Sequence, residues 1–154
     1  MSLSLIPGID SSGSAIDAER MRLNVIANNI ANANTTQSSI DAEGKAVPYK
    51  RQLVVFESVL AEQTKNLGGT GTGNVPSAQV RVQSIQDDPS PMKSVYMPGH
   101  PHADAKTGMV LMPNINVAEE MVDMITASRA IEANVQAITT AKQMVRSILT
   151  LSQR

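Results

Sequence analysis

The chain has no cysteine and no tryptophan, and its only other aromatic residues are Tyr49, Phe56 and Tyr96. The missing cysteine excludes disulfides, thiolate metal sites and cysteine nucleophiles. The scarcity of aromatics leaves both terminal segments to pack with Ile, Leu, Val, Met and Ala alone. Such aliphatic seams suit narrow helix–helix contacts better than a compact globular core. Charge of either sign is not in excess, with a net value of −1. Neither nucleic acid nor an anionic membrane surface is implied as a partner. Long hydrophobic runs are missing too. No stretch approaches the ~18 apolar residues of a membrane span, so the chain is expected not to cross one. The apolar run at the start is only Leu3 to Ile6, and the first basic residue is Arg20. If the protein is exported, the expectation is a route without a cleaved signal peptide.

Proline and glycine are present but concentrated. Seven of the eight prolines and six of the nine glycines lie between Pro48 and Pro113. That clustering divides 154 residues, one ordinary domain in size, into three regions. Residues 1–38 read as an N-terminal helical region, 39–113 as a β-rich insert, and 114–154 as a C-terminal helix. The predicted fold class is α+β, with long terminal helices packing as a coiled-coil-like pair around a small β-rich insert. The first helix is expected to begin near Asp10 to Ser14 and to fade by Asn34. In the insert, Tyr49 to Val55, Val80 to Val82, Val95 to Met97 and Met109 to Met112 have strand character. The last two are expected to pair across Pro98-Gly99-His100-Pro101. The run Gly68-Gly69-Thr70-Gly71-Thr72-Gly73-Asn74 reads as a flexible loop. No Lys-Ser/Thr pair follows its glycines, as a phosphate-cradling loop would need.

What the ends do have is periodicity. Val117, Met124, Ile131, Ile138 and Val145 fall seven apart, and Met121, Val135 and Leu149 share a register four residues on. Steps of four and three place both sets on one face of a helix of roughly 35 residues, on the order of 50 Å long. Ile9, Ile16, Leu23 and Ile30 repeat the spacing near the N-terminus. A lone helix cannot bury such a seam in water, so each needs a partner. Asn116-Val117-Ala118-Glu119 has the spacing of a capping box. Glu119, Glu120 and Asp123 then read as a solvated, dipole-favoured first turn, with Lys142 and Arg146 near the far end. Ser128 and Lys142 interrupt the seam, as alignment-specifying residues or as a partly exposed edge with a snorkelling lysine.

Little in the chain suggests catalysis. His100-Pro101-His102-Ala103-Asp104 could be read as a zinc-hydrolase ligand set, but it contains both histidines of the chain, and no third His or Cys can complete a site. The expectation is a proline-bracketed turn, with no catalytic, cofactor-binding or metal-binding residues, no cofactor and no small-molecule substrate. The five asparagines from Asn24 to Asn34 are open to two readings. They are either loop chemistry at a helix end or buried amides that satisfy backbone groups and fix register between packed helices.

Two segments carry a resemblance. Leu23-Asn24-Val25-Ile26-Ala27-Asn28-Asn29-Ile30-Ala31-Asn32-Ala33-Asn34-Thr35 resembles the N-terminal signature of bacterial flagellar rod and hook axial proteins. Tyr96 to Asp104, Gly108-Met109-Val110, Met112 to Val117, Glu119 to Val122 and Ala127 to Asn134 resemble the C-terminal half of the short proximal-rod members of that family. The likeness is weak only across about Ile40 to Pro91. Ile131 stands where the family often carries an aromatic residue, which preserves the seam but alters local packing.

The resemblance implies a structural subunit of the basal-body proximal rod, with no enzymatic activity. It also implies export through the flagellar type III apparatus, and packing of the terminal helices with other rod proteins and further copies into a helical tube that crosses the periplasm. Such a tube transmits motor torque and houses the export channel. The expected assembly residues are Ile16, Leu23, Ile26, Asn28, Asn29, Ile30 and Asn32 in the first helix. In the second they are Met121, Met124, Ile131, Val135, Ile138, Val145 and Leu149. The alternative is a soluble helical-hairpin adaptor.

Overall fold

The computed structural model describes residues 7–42, 45–60 and 78–152, with the backbone alone at Pro7, Leu60, Ala78 and Ser152. The Gly68–Asn74 segment and the Leu3–Ile6 run lie outside the described residues. Among the described residues, helix α1 (Pro7–Ala31) and helix α2 (Val117–Ser152) bracket six strands: β1 (Ser39–Ile40), β2 (Ala46–Val47), β3 (Gln52–Leu60), β4 (Ala78–Asp87), β5 (Lys93–Tyr96) and β6 (Met109–Met112). These form three two-stranded sheets, each from consecutive strands. The class is α+β, as expected.

Helix α1 starts at Pro7, earlier than the Asp10 to Ser14 expected. Proline suits a first helical position, where its missing N–H and fixed φ cost nothing. Gly8 and Gly13 inside the helix each cost only about 1 kcal/mol against Ala. The helix ends in the asparagine run. Asn32 Nδ2 donates back to Asn28 O at 2.9 Å, and Thr35 N to Asn32 O at 3.0 Å. Helix α2 is capped by Asn116, whose Oδ1 accepts the Ala118 N–H at 3.2 Å. Its 36 residues contain neither proline nor glycine.

Strand β3 begins later and runs further than the expected Tyr49 to Val55. The stretch before it is held by Tyr49 N donating to Thr35 O at 3.2 Å. Asp88 N donates to Arg51 O at 2.8 Å, so the start of β3 lies by the end of β4 and the ribbon is antiparallel. The β5–β6 hairpin forms where the sequence placed it, with Lys93 opposite Met112 and Tyr96 opposite Met109.

Contacts divide the chain into two compact units. One comprises Arg22–Val54 and Ile85–Ile125. Its buried side chains are Val25, Ile26, Asn29, Ala33, Pro48, Val110, Pro113, Ile115 and Glu120. Here α1 and α2 pack together: Asn29 meets Glu120, and Arg22 Nη2 lies 4.0 Å from Asp123 Oδ1. The other unit comprises Met1–Met21, Val55–Ser84 and Thr126–Arg154. Among its described residues only Ala18 and Ala127 are buried. Ser14, Asp17, Ala18 and Met21 of α1 there line a groove of about 390 Å³ with Val59 of β3 and Gln79 to Val82 of β4. No described helix is long and apolar enough to cross a membrane.

Candidate assembly surface and its polar latch

Two of the buried side chains of the first unit are polar. Asn29 and Glu120 are each 1% exposed. Asn29 Nδ2 donates to Gln52 O at 2.9 Å and to Glu120 Oε2 at 3.2 Å, while its Oδ1 accepts from Gln52 N at 3.0 Å and from Tyr49 OH at 3.1 Å. Every bonding position of the amide is used, as a buried amide requires. Glu120 Oε1 accepts from Arg51 Nε at 2.6 Å. Arg51 further reaches Asp88 Oδ2 at 3.4 Å and Asp123 Oδ2 at 3.9 Å. One amide on α1, one guanidinium just before β3 and one carboxylate in the first turn of α2 thus interlock.

The charges are mutually arranged. Burial works against the Arg51 guanidinium, but the hydrogen bonds and charges of Glu120 and Asp88 outweigh it and hold its pKa above the ordinary value. Burial, then the negative charges of Asp87 and Glu120, push the Tyr49 phenol up. Hydrogen bonds from Ser90, with a smaller contribution from Arg51, hold Asp88 below the usual carboxylate range.

This network corrects one expectation. Glu120 is not part of a solvated first turn; it is buried against Arg51. The solvated reading holds for its exposed neighbour Glu119, while Asp123 is half-buried within reach of Arg22 and Arg51. The asparagine cluster divides between its two readings. Asn29 is a buried amide that fixes register, against the backbone of the insert and a helix of its own chain. Asn32 caps its own helix, and Asn24, Asn28 and Asn34 are exposed.

The proposed assembly residues divide by face. On α2 the shielded positions are Glu120, Met124, Ala127, Ile131, Asn134, Ile138, Ala141 and Val145, alternating by four and three. Met121, Val135 and Leu149, the second register, are exposed at 52%, 48% and 58%. On α1 the buried line is Ala18, Val25 and Asn29, with Ala15 and Arg22 half-buried along it. Ile26 is buried beside it, and Ile16, Leu23, Ile30 and Asn32 are half-buried. The small Ala18 and Ala127 are the shielded points that a search for large aliphatic residues passes over.

The histidine motif is a folded turn. His102 N donates to His100 Nδ1 at 3.2 Å, Thr36 Oγ1 and His102 Nδ1 are 3.0 Å apart, and Asp104 Oδ1 accepts from Lys106 N at 2.8 Å. Among the described residues no three His, Cys, Asp or Glu side chains are grouped to hold a metal ion.

Helix α2, which leaves Met121, Val135 and Leu149 in solvent, has the character of a helix from a subunit that assembles. Comparison with known proteins agrees. Residues 9–37 match the family model of the flagella basal body rod protein. Residues 106–151 match that of the flagellar basal body rod FlgEFG protein C-terminal region. The flagellar basal-body rod protein FlgC of Yersinia enterocolitica is 42% identical over 151 residues, covering 98% of this chain and all of the relative. FlgC of Borreliella burgdorferi is 39% identical over 160 residues, covering 98% and 99%. FlgC of Bacillus subtilis is 35% identical over 152 residues, covering 94% and 96%. The chain belongs to the FlgC family of flagellar basal-body rod proteins. It is a structural subunit of the rod and not an enzyme.

Proposed function

We propose that this subunit builds the proximal part of the rod through the outward apolar positions of its terminal helices. It joins other rod proteins and further copies of itself in a coiled-coil-like packing that encloses the export channel and transmits torque. Residues 1–38 and 114–154 supply the axial helices and 39–113 the insert. Export proceeds through the flagellar type III apparatus without a cleaved signal peptide, and the finished rod crosses the periplasm. The observation that carries this reading is the exposure of Met121, Val135 and Leu149 on a helix whose other face is already shielded. Full burial of a large aliphatic side chain contributes roughly 1.5–3 kcal/mol. Repeated over several such positions, docking offsets the entropy of ordering the helix ends. Contacts between unlike surfaces repeat along a screw axis without closing. Torque is then shared among many helix contacts.

The test is an epitope inserted in the Gly68–Asn74 segment, followed by electron microscopy of labelled, detergent-extracted basal bodies. Label confined to the axial rod is expected. Label found only in the soluble fraction of motile cells would overturn the reading.

A further inference from the structure

The turn that joins β5 to β6 is organised by its two histidines. His100 N donates to Met97 O at 3.1 Å, and His100 O accepts from Ala103 N at 3.0 Å, so two reverse turns meet at His100. Pro101 between the histidines has no N–H. The next backbone donor, His102 N, is met by the His100 ring, whose Nδ1 accepts it at 3.2 Å. The imidazole does here what the oxygen of an asparagine does in an Asx-turn, accepting from the backbone two residues on. It can do so only while that nitrogen carries no proton.

The second ring reaches a distant stretch of the same compact unit. His102 Nδ1 lies 3.0 Å from Thr36 Oγ1, 66 positions away, in the chain that leaves α1. The two rings stand edge to face with centroids 5.3 Å apart, and both are half-buried. Protonation acts differently on them. A charged His102 can still donate to the Thr36 hydroxyl, which accepts as readily as it donates. A charged His100 carries a hydrogen on each nitrogen, so its Nδ1–H confronts His102 N–H, donor against donor. Two charged rings at this spacing also repel.

The charged groups nearby are few. Asp104 and Lys106 share the turn, both exposed, and Asp104 Oδ1 accepts from Lys106 N at 2.8 Å. The Asn32 to Ile40 stretch that supplies Thr36 has no charged residue, and Asp41 is the next along it. Lys93 of β5 donates to Ile115 O at 3.2 Å, and β6 has no charged residue.

We infer that this turn is an acid-released clasp. Neutral His100 fixes the His102 backbone and so seats the His102 ring on Thr36; protonation of His100 frees the turn from the chain that leaves α1. Histidine side chains change charge between about pH 5 and 8, above the ordinary range of carboxylates. The clasp is therefore closed at the upper end of that window and opens as pH falls through it, while the latch around Asn29 stays shut. This device goes beyond the rod-subunit reading and does not depend on it.

The test follows hydrogen exchange at the His102 amide of the full chain by nuclear magnetic resonance, from about pH 8 to about pH 5. Rates are referred to those of an unstructured peptide at each pH. Protection at the upper end that is lost at the lower, with the midpoint of the His100 ring signals, is expected. Gln52 N–H, held by Asn29 Oδ1 in the latch, should stay protected throughout. His100→Asn places an oxygen that takes no proton where Nδ1 stands, and should keep the His102 amide protected over the whole range. Equal protection of the parent's His102 amide at both ends would overturn the clasp, and this reading needs no variant. So would the same loss in His100→Asn, or a loss at Gln52 that accompanies the loss at His102.

Discussion

Asn29 and Glu120 lie 91 positions apart in the chain and meet through a 3.2 Å hydrogen bond. The same carboxylate receives the Arg51 guanidinium on its other oxygen. A buried charge loses far more when its partner is removed than the intact pair contributes. Arg51→Met should therefore cost about 3 kcal/mol or more in urea unfolding. Glu120→Gln keeps the shape but exchanges one accepting oxygen for an amide that faces Arg51 Nε or Asn29 Nδ2, both donors, so it too should destabilise. A urea midpoint unchanged by Arg51→Met would show that the ion pair does not hold Glu120 in place.

Acid should weaken the latch from the Asp88 side. Hydrogen bonds from Ser90, then Arg51, lower the pKa of Asp88 in the folded chain. Its contribution is complete above the unfolded value of about 3.9 and is lost as pH falls through the lower folded value. Urea midpoints measured from pH 6 downward should fall, and Asp88→Asn should flatten that fall. An unchanged slope in the variant would assign the acid sensitivity elsewhere.

Gly108 should tolerate no side chain. Its positive φ and the 2.9 Å approach of Tyr96 Cε2 make Gly108→Ala destabilising by about 1 kcal/mol or more. Thermal unfolding measures it directly. A neutral result would mean that the hairpin relaxes freely around Tyr96.

The α2 cap is a smaller lever. Asn116→Ala removes the bond to Ala118 N and should cost about 1 kcal/mol, whereas Asn116→Asp should restore it. Calorimetry of the three proteins separates the cap from any other role of the side chain.

Most of the architecture was legible because it is set by local pattern. The heptad steps and the lack of proline and glycine marked α2, Asn116 marked its start, and a Pro-Gly turn between apolar runs marked the β5–β6 hairpin. Glu120 was not legible. Its partner Arg51 is 69 positions away, and a carboxylate in the first turn of a helix looks the same in sequence whether solvated or clamped. The shielded line of α1 was displaced for a similar reason. Ala18 and Asn29 lie on it, and neither is a large aliphatic residue; their contacts bury them more deeply than Ile16, Leu23 and Ile30.

On the proposed reading the outward face of α2 serves assembly and not the fold of the chain. Leu149 is 58% exposed and Val135 48%, so Leu149→Asp and Val135→Asp should each leave the thermal unfolding of the free chain within about 0.5 kcal/mol of the parent. The decisive measurement is the amount of each variant in purified basal bodies. The account predicts chains that fold normally yet are missing from the rod, in cells that do not swim. Incorporation at the parental level, with normal swimming, would contradict it.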